Sequence, residues 1–151
     1  RLKYMNLLLK SQLSSEKDGL ANISNATGII MACVNRLNWL GFYFLRDDEL
    51  VLGPFQGLPA CNRIEIGKGV CGTAVKTKEV QLVSDVHLFP GHIACDSASN
   101  SELVIPIIKD DKVYGVLDLD SPDKGRFTEL EKKYFIKFVE ILNQYIDWNN
   151  T

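Results

Sequence analysis

The chain has 151 residues, 46% of them hydrophobic and 24% charged, with a formal net charge of −2. That is the length of one ordinary domain, enough to bury roughly two-thirds of the surface its unfolded chain exposes. The near-neutral balance gives no electrostatic case for nucleic acid or an anionic membrane.

The longest apolar runs, such as LVIPII, are too short to cross a bilayer, and no signal-peptide layout is evident. Four cysteines, Cys33, Cys61, Cys71 and Cys95, suit a reducing cytoplasm better than a secreted disulfide scaffold. Residues 3–13 and 18–34 read as helices, the second with Asp18 as its N-cap. Cys33 falls in the apolar stretch GIIMACV, where a small buried hydrophobe is the expected role. Residues 38–46 and 49–55 are apolar and aromatic, and Asp47-Asp48 between them signals a β-hairpin. NRIEI at 62–66 alternates as a half-buried strand does. A short helix over 70–76 and a strand over 80–83 follow.

Residues 84–101 carry neither period apart from a short HIA segment, and loops that long are usually functional or disordered. A second hairpin is predicted from 102–108 and 112–120 around Lys109-Asp110-Asp111. Pro106, lacking a donor, belongs there at a bulge or an unpaired edge. Thr128 to Glu131 forms a capping box. Leu130, Tyr134, Phe138, Ile141, Leu142 and Tyr145 then share one helical face. With no repeat and no linker, residues 1–151 read as one α+β domain, a mostly antiparallel sheet with helices packed against it.

Gly67-Lys68-Gly69-Val70-Cys71-Gly72 matches the dinucleotide fingerprint G-x-G-x-x-G, and Asp85 follows near the next strand. The helix is too short for a βαβ crossover and the neighbours read as hairpins, so a tight turn opening a helix is the better reading. Cys71 then sits in a first helical turn, where the dipole and free N–H groups lower a thiol pKa. Cys95 is the rival nucleophile, with His92 near it in sequence. The spacing C-x9-C-x23-C lacks any C-x2-C pair, and His87 and His92 add no ligand spacing, so no metal is expected. Three cysteines without a metal pattern suggest a thiolate that attacks and another that resolves the oxidised product.

In VYGVLDLD, strand alternation places Asp118 and Asp120 on the face of Val116, and hairpin pairing brings Glu102 to the same sheet end. Three converging carboxylates want a cation, or one of them must hold a proton. A substrate ammonium, Mg²⁺ or Ca²⁺ would serve. On 38–45, Trp39, Gly41 and Tyr43 share a face opposite Leu40, Phe42 and Phe44. Glycine between two rings could leave room for a methyl group, although core packing is the better account of such a stripe taken alone.

Together, GPFQGLPACNRIEIGKGVCGTA, SDVHLFPGHIACDSASNSELVIPI and GVLDLDSP closely resemble the free methionine-(R)-sulfoxide reductase family, built on a GAF domain. The resemblance covers roughly residues 35 to 145. It implies terminal helices on one side of the sheet and active-site loops on the other. It also implies reduction of free L-methionine-(R)-sulfoxide without a cofactor, and recycling by thioredoxin. Cys95 matches the family's catalytic cysteine, Cys61 its resolving partner and Cys71 a third active-site thiol. Glu102 and Asp120 match positions that activate the sulfoxide oxygen, and Asp118 with Glu102 the ammonium site. Trp39 and Tyr43 match the methyl pocket. The small residues Ala94, Ser97, Ala98 and Ser99 would leave the Cys95 loop room for substrate and for motion toward Cys61. A homodimer through the terminal helices is compatible with this reading. The alternative is a non-catalytic GAF-type sensor, which normally carries an output domain.

Overall fold

The computed structural model describes residues 1–93, 95 and 97–151. Ala94, one of the small residues expected to give the loop room, lies outside the described residues. Two helices come first, α1 (Leu2–Ser15) and α2 (Gly19–Cys33). The Asp18 side chain accepts from the Ala21 N–H at 2.9 Å, as the N-cap expectation required.

The strands are β1 (Trp39–Arg46), β2 (Glu49–Gly57), β3 (Arg63–Glu65), β4 (Gln81–Val83), β5 (Ser101–Lys109) and β6 (Lys112–Ser121). Helix α3 (Gly69–Thr77) lies between β3 and β4, and α4 (Glu129–Tyr145) closes the fold behind the predicted capping box. The expected α+β class is therefore the observed one. The β5–β6 turn has positive φ at both Asp110 and Asp111, the requirement of a two-residue type I′ turn. Pro106 lies beyond the end of β4, whose pairing with β5 spans only Glu102 to Val104, and beside the bulge at Ile107/Ile108. It is thus tolerated at the edge the sequence reading asked for.

All pairings are antiparallel, in the order β3-β2-β1-β6-β5-β4. Sequence neighbours β3 and β4 therefore sit on opposite edges, and α3 must cross the sheet to join them. It crosses the face that α1, α2 and α4 leave uncovered. No parallel βαβ unit exists among these strands, so the G-x-G-x-x-G segment has no dinucleotide context. Its glycines serve the turn instead. Gly67 and Gly69 have φ of +86° and +63°, and a Cβ on Gly72 would run into the Glu65 carbonyl. The Gly67 N–H donates to the Gly72 carbonyl at 2.8 Å, closing the turn.

On the helix side, Leu40, Phe42 and Phe44 of β1, Leu103, Ile105 and Ile107 of β5, and Leu117 and Leu119 of β6 meet the three terminal helices. Cys33 is buried in that layer, as expected of a small hydrophobe. The α4 face needs a correction. Leu130 and Tyr145 are 55% and 47% exposed, while Phe135, Phe138, Val139, Ile141 and Leu142 are buried. Two overlapping stripes share the 3.6 period, and packing selects the one carrying Phe135 and Val139. Tyr134 instead lies between the Lys133 and Lys137 ammonium groups, 5.8 and 5.4 Å from its ring centroid.

Candidate active site

The second face of the sheet is built from residues one step out of phase with the apolar layer. Strand register sets it out directly. Trp39 of β1 pairs with Asp120 of β6, which pairs with Glu102 of β5. One step along, Gly41 pairs with Asp118, which pairs with Val104. Tyr43 follows, opposite Val116. Helix α3 covers this patch and adds Cys71, packing Val70, Ala74 and Val75 beside Val104, Val113 and Val116.

A cavity of about 40 Å³ opens there, lined by Trp39, Tyr43, Cys71, Cys95, Glu102, Asp118 and Asp120 together with Lys68, His92 and Ser99. Seven of the eight sequence-predicted site residues thus share one pocket. The eighth, Cys61, is joined to it by a disulfide with Cys95, with Cα atoms 5.4 Å apart across a separation of 34 residues. Cys71 keeps a free, buried thiol.

The aromatic pair has polar duties beyond its rings. The Tyr43 hydroxyl donates to the Cys61 carbonyl at 2.9 Å, and the Trp39 indole N–H to the Leu58 carbonyl at 3.2 Å. Both anchor the segment that carries Cys61. The expected space at Gly41 is not open, because a Cβ there would collide with Phe55 of β2. Phe55 stacks on Trp39 at 5.4 Å, with Tyr43 at 5.9 Å from the same ring. The glycine admits a third ring, and the aromatic wall is thicker than the sequence suggested.

The loop from 84 to 100 is tied at its base. The Val86 N–H donates to the Asn100 carbonyl and the Asn100 N–H to the Ser121 carbonyl. The Asn100 side chain meets His87 Nε2 at 3.0 Å and donates to the Pro122 carbonyl at 2.8 Å. Closer to the pocket, the Asn38 amide donates to Ser99 Oγ at 3.0 Å. The HIA segment forms no strand at its described residues His92 and Ile93.

The electrostatics follow from burial. Glu102, Asp118 and Asp120 are only 5–7% exposed. Desolvation, reinforced by the Asp118 and Asp120 charges, pushes the Glu102 carboxyl well above its ordinary range. Asp118 also moves up through burial, countered in part by neighbouring Glu102, Cys71 and Asp120. The expected activation of Cys71 by a helix N-terminus meets an opposing effect. Burial, and then the surrounding acids, push its thiol well up, and a buried thiol facing carboxylates is a poor thiolate. Its sulfur lies 3.9 Å from Glu102 Oε2.

His92, read from sequence as a rival's neighbour in a polar loop, lies in the pocket wall with Nε2 4.0 Å from Glu102 Oε1. Burial, and then the His87 charge, lower its pKa and favour the neutral ring. Its proximity in sequence to Cys95 was the one signal that pointed to it. Phe55 and Asn38 had none. As for cation ligands, Cys71, Glu102 and Asp118 each offer an atom within 4.8 Å of the others.

A family profile described as a GAF domain matches residues 27–147. The chain is 45% identical over 142 residues to the free methionine-R-sulfoxide reductase of Escherichia coli, covering 94% of this chain and 86% of that protein. Its fold superposes on the reduced form of fRMsr from Staphylococcus aureus with a TM-score of 0.93 at 45% identity, covering 97% and 96% of the two chains. The free methionine-R-sulfoxide reductase of Neisseria meningitidis in complex with its substrate gives a TM-score of 0.92 at 38% identity, covering 95% and 87%. With the antiparallel sheet, the crossing helix and the cysteine–carboxylate pocket, these likenesses place the chain in the free methionine-(R)-sulfoxide reductase family of GAF-domain proteins.

Proposed function

We propose that this protein reduces free L-methionine-(R)-sulfoxide to methionine, with Cys95 as nucleophile and Cys61 as resolving thiol. The observation that carries the reading is the Cys61–Cys95 disulfide in the wall of a pocket floored by three buried acids. Relatives named for this reaction support the substrate.

In the reduced protein the Cys95 thiolate attacks the sulfoxide sulfur. The oxygen takes a proton and passes to the Cys95 sulfur as the substrate's sulfur–oxygen bond and the new sulfur–sulfur bond both break. Methionine leaves, and Cys95 becomes a sulfenic acid. The Cys61 thiol then displaces that hydroxyl as water, forming the disulfide, and an external dithiol returns both cysteines to thiols. Sulfoxide sulfur is a weak electrophile until its oxygen accepts a proton. Glu102, held protonated by burial and its acidic neighbours, is suited to donate it, with Asp120 beside it. Asp118 with Glu102 receives the substrate ammonium, and Trp39 and Tyr43 face its methyl group. Cys71, kept as a thiol, stands in reserve beside the acids.

A cavity of about 40 Å³ suits water better than an amino acid, so the bridge opens before substrate enters. Thioredoxin is the proposed reductant and the cytoplasm the proposed compartment, where Cys33 and Cys71 stay free. No described helix is long and apolar enough to cross a membrane. Residues 1–151 act as one GAF-like domain. Exposed Tyr4 and Leu7 of α1 and Leu20 and Met31 of α2 supply apolar surface for a homodimer.

The test is NADPH oxidation in a thioredoxin-coupled assay with the separated R and S diastereomers. Turnover with R and none with S is expected. No turnover with either, once thioredoxin is seen to reduce the disulfide, would overturn the reading, and tight binding without turnover would make the domain a sensor.

A further inference from the structure

We infer that Cys71, Glu102 and Asp118 form an inhibitory binding site for a thiophilic divalent cation of the Zn²⁺ class, overlapping the substrate ammonium position. Each residue offers one donor atom, all three donors lie within 4.8 Å of one another, and all three side chains are buried. The sulfur–oxygen edge is already 3.9 Å. A tetrahedral Zn²⁺ with ordinary bond lengths needs an edge of about 3.5 Å, so that edge is within a few tenths of an ångström of a metal site, and the other donors draw in from within 4.8 Å.

A second observation points to a ligand. Asp118 is 5% exposed, yet its Oδ1 is buried without a hydrogen-bond partner. An orphaned carboxylate oxygen of this kind is costly, and a cation would satisfy it. The cavity beside it is water-sized, enough for an ion and one further ligand. A thiol among two carboxylates selects against Mg²⁺ and Ca²⁺, which want oxygen cages, and for borderline-soft ions. The fourth position falls to water.

The site was invisible to cysteine spacing, because only one of its ligands is a cysteine. Strand pairing supplies Glu102 and Asp118, and the crossing helix supplies Cys71. Binding itself does not depend on the proposed reaction, whereas the inhibition it causes rests on that reading. The Cys61–Cys95 disulfide permits a clean experiment, since in the oxidised protein neither of those sulfurs can ligate.

Oxidised protein is titrated with Co²⁺, following the thiolate-to-metal charge-transfer band and the visible bands of a tetrahedral site. One equivalent should bind and be displaced by Zn²⁺. Cys71→Ser should abolish the charge-transfer band, and Cys33→Ser should leave it intact. Asp118→Asn should weaken binding by about 10–100-fold or more, at least what losing an outer-shell partner costs a metal site, with an unchanged circular dichroism spectrum checking the fold. A spectrum that stays that of hydrated Co²⁺, or a band surviving Cys71→Ser, would overturn the inference. In the reduced enzyme, Zn²⁺ should raise the apparent KM and leave kcat unchanged. Inhibition of the reduced enzyme without the tetrahedral spectrum in the oxidised one would put the metal on Cys61 and Cys95 and also refute the site. A protein that shows the spectrum but turns over no sulfoxide would refute the reaction alone.

Discussion

On one face of the sheet, Leu40, Phe42, Leu103, Ile105, Leu117 and Leu119 meet three helices in an apolar layer. On the other, the same three strands present Trp39, Asp118, Asp120 and Glu102 beneath a single short helix and a loop. The two faces differ by one residue in phase and by everything in energetics. The first removes apolar area from water and stabilises the fold. The second buries carboxyl groups whose charged forms are disfavoured, which costs stability and suits one of them to the proposed role of proton donor. Sheet alternation lets one hairpin serve both purposes.

Substitutions separate the two faces. Phe138→Ala, in the helix layer, should cost about 3–5 kcal/mol, read by urea denaturation, while kcat/KM of the folded fraction stays the same. Glu102→Gln should do the reverse, lowering turnover by about 10²–10⁴-fold without unfolding the protein. Its stability carries a pH signature. The folded Glu102 pKa lies above the unfolded one, so its contribution is complete below the unfolded value and lost as pH rises through the folded value. Relative to the parent, Glu102→Gln should therefore gain thermal stability as pH climbs through that window. Parallel melting-temperature profiles would show that the acid is not held protonated.

Smaller effects refine the contrast. Tyr43→Phe removes the donor to the Cys61 carbonyl and should cost about 0.5–1.5 kcal/mol. Disulfide formation after sulfoxide addition should slow as well, because the Cys61 segment loses an anchor. Thr128→Ala, at the capping box of α4, should cost about 1 kcal/mol and leave disulfide formation at the parental rate. A slowed disulfide in both would mean that stability, not anchoring, governs the step.

The hairpins, the capping box and the Asp18 cap were legible in the sequence because each is a local rule. The meeting of Glu102 with Asp118 and Asp120 was legible too, since strand alternation and a hairpin around Lys109-Asp110-Asp111 bring them to one sheet end, although the turn itself is one residue shorter than expected. Other features required the assembled sheet. Nothing local says that β3 and β4 lie on opposite edges, so the route of α3 over the pocket, and the burial that opposes the expected activation of Cys71, could not be read. Phe55 filling the space at Gly41 depends on a neighbouring strand's register. The α4 stripe slipped because two apolar faces satisfy one helical period, and the helix layer alone decides between them.

The central claim is that Cys95 is the sulfur that takes the oxygen. Its most direct test is a single turnover of pre-reduced protein with free methionine-(R)-sulfoxide, without thioredoxin, measuring methionine released per protein. The parent and Cys61→Ser should each release methionine, Cys61→Ser stopping at the sulfenic acid, and Cys95→Ser should release none. Full release by Cys95→Ser would contradict the account and move the nucleophile to Cys61 or Cys71.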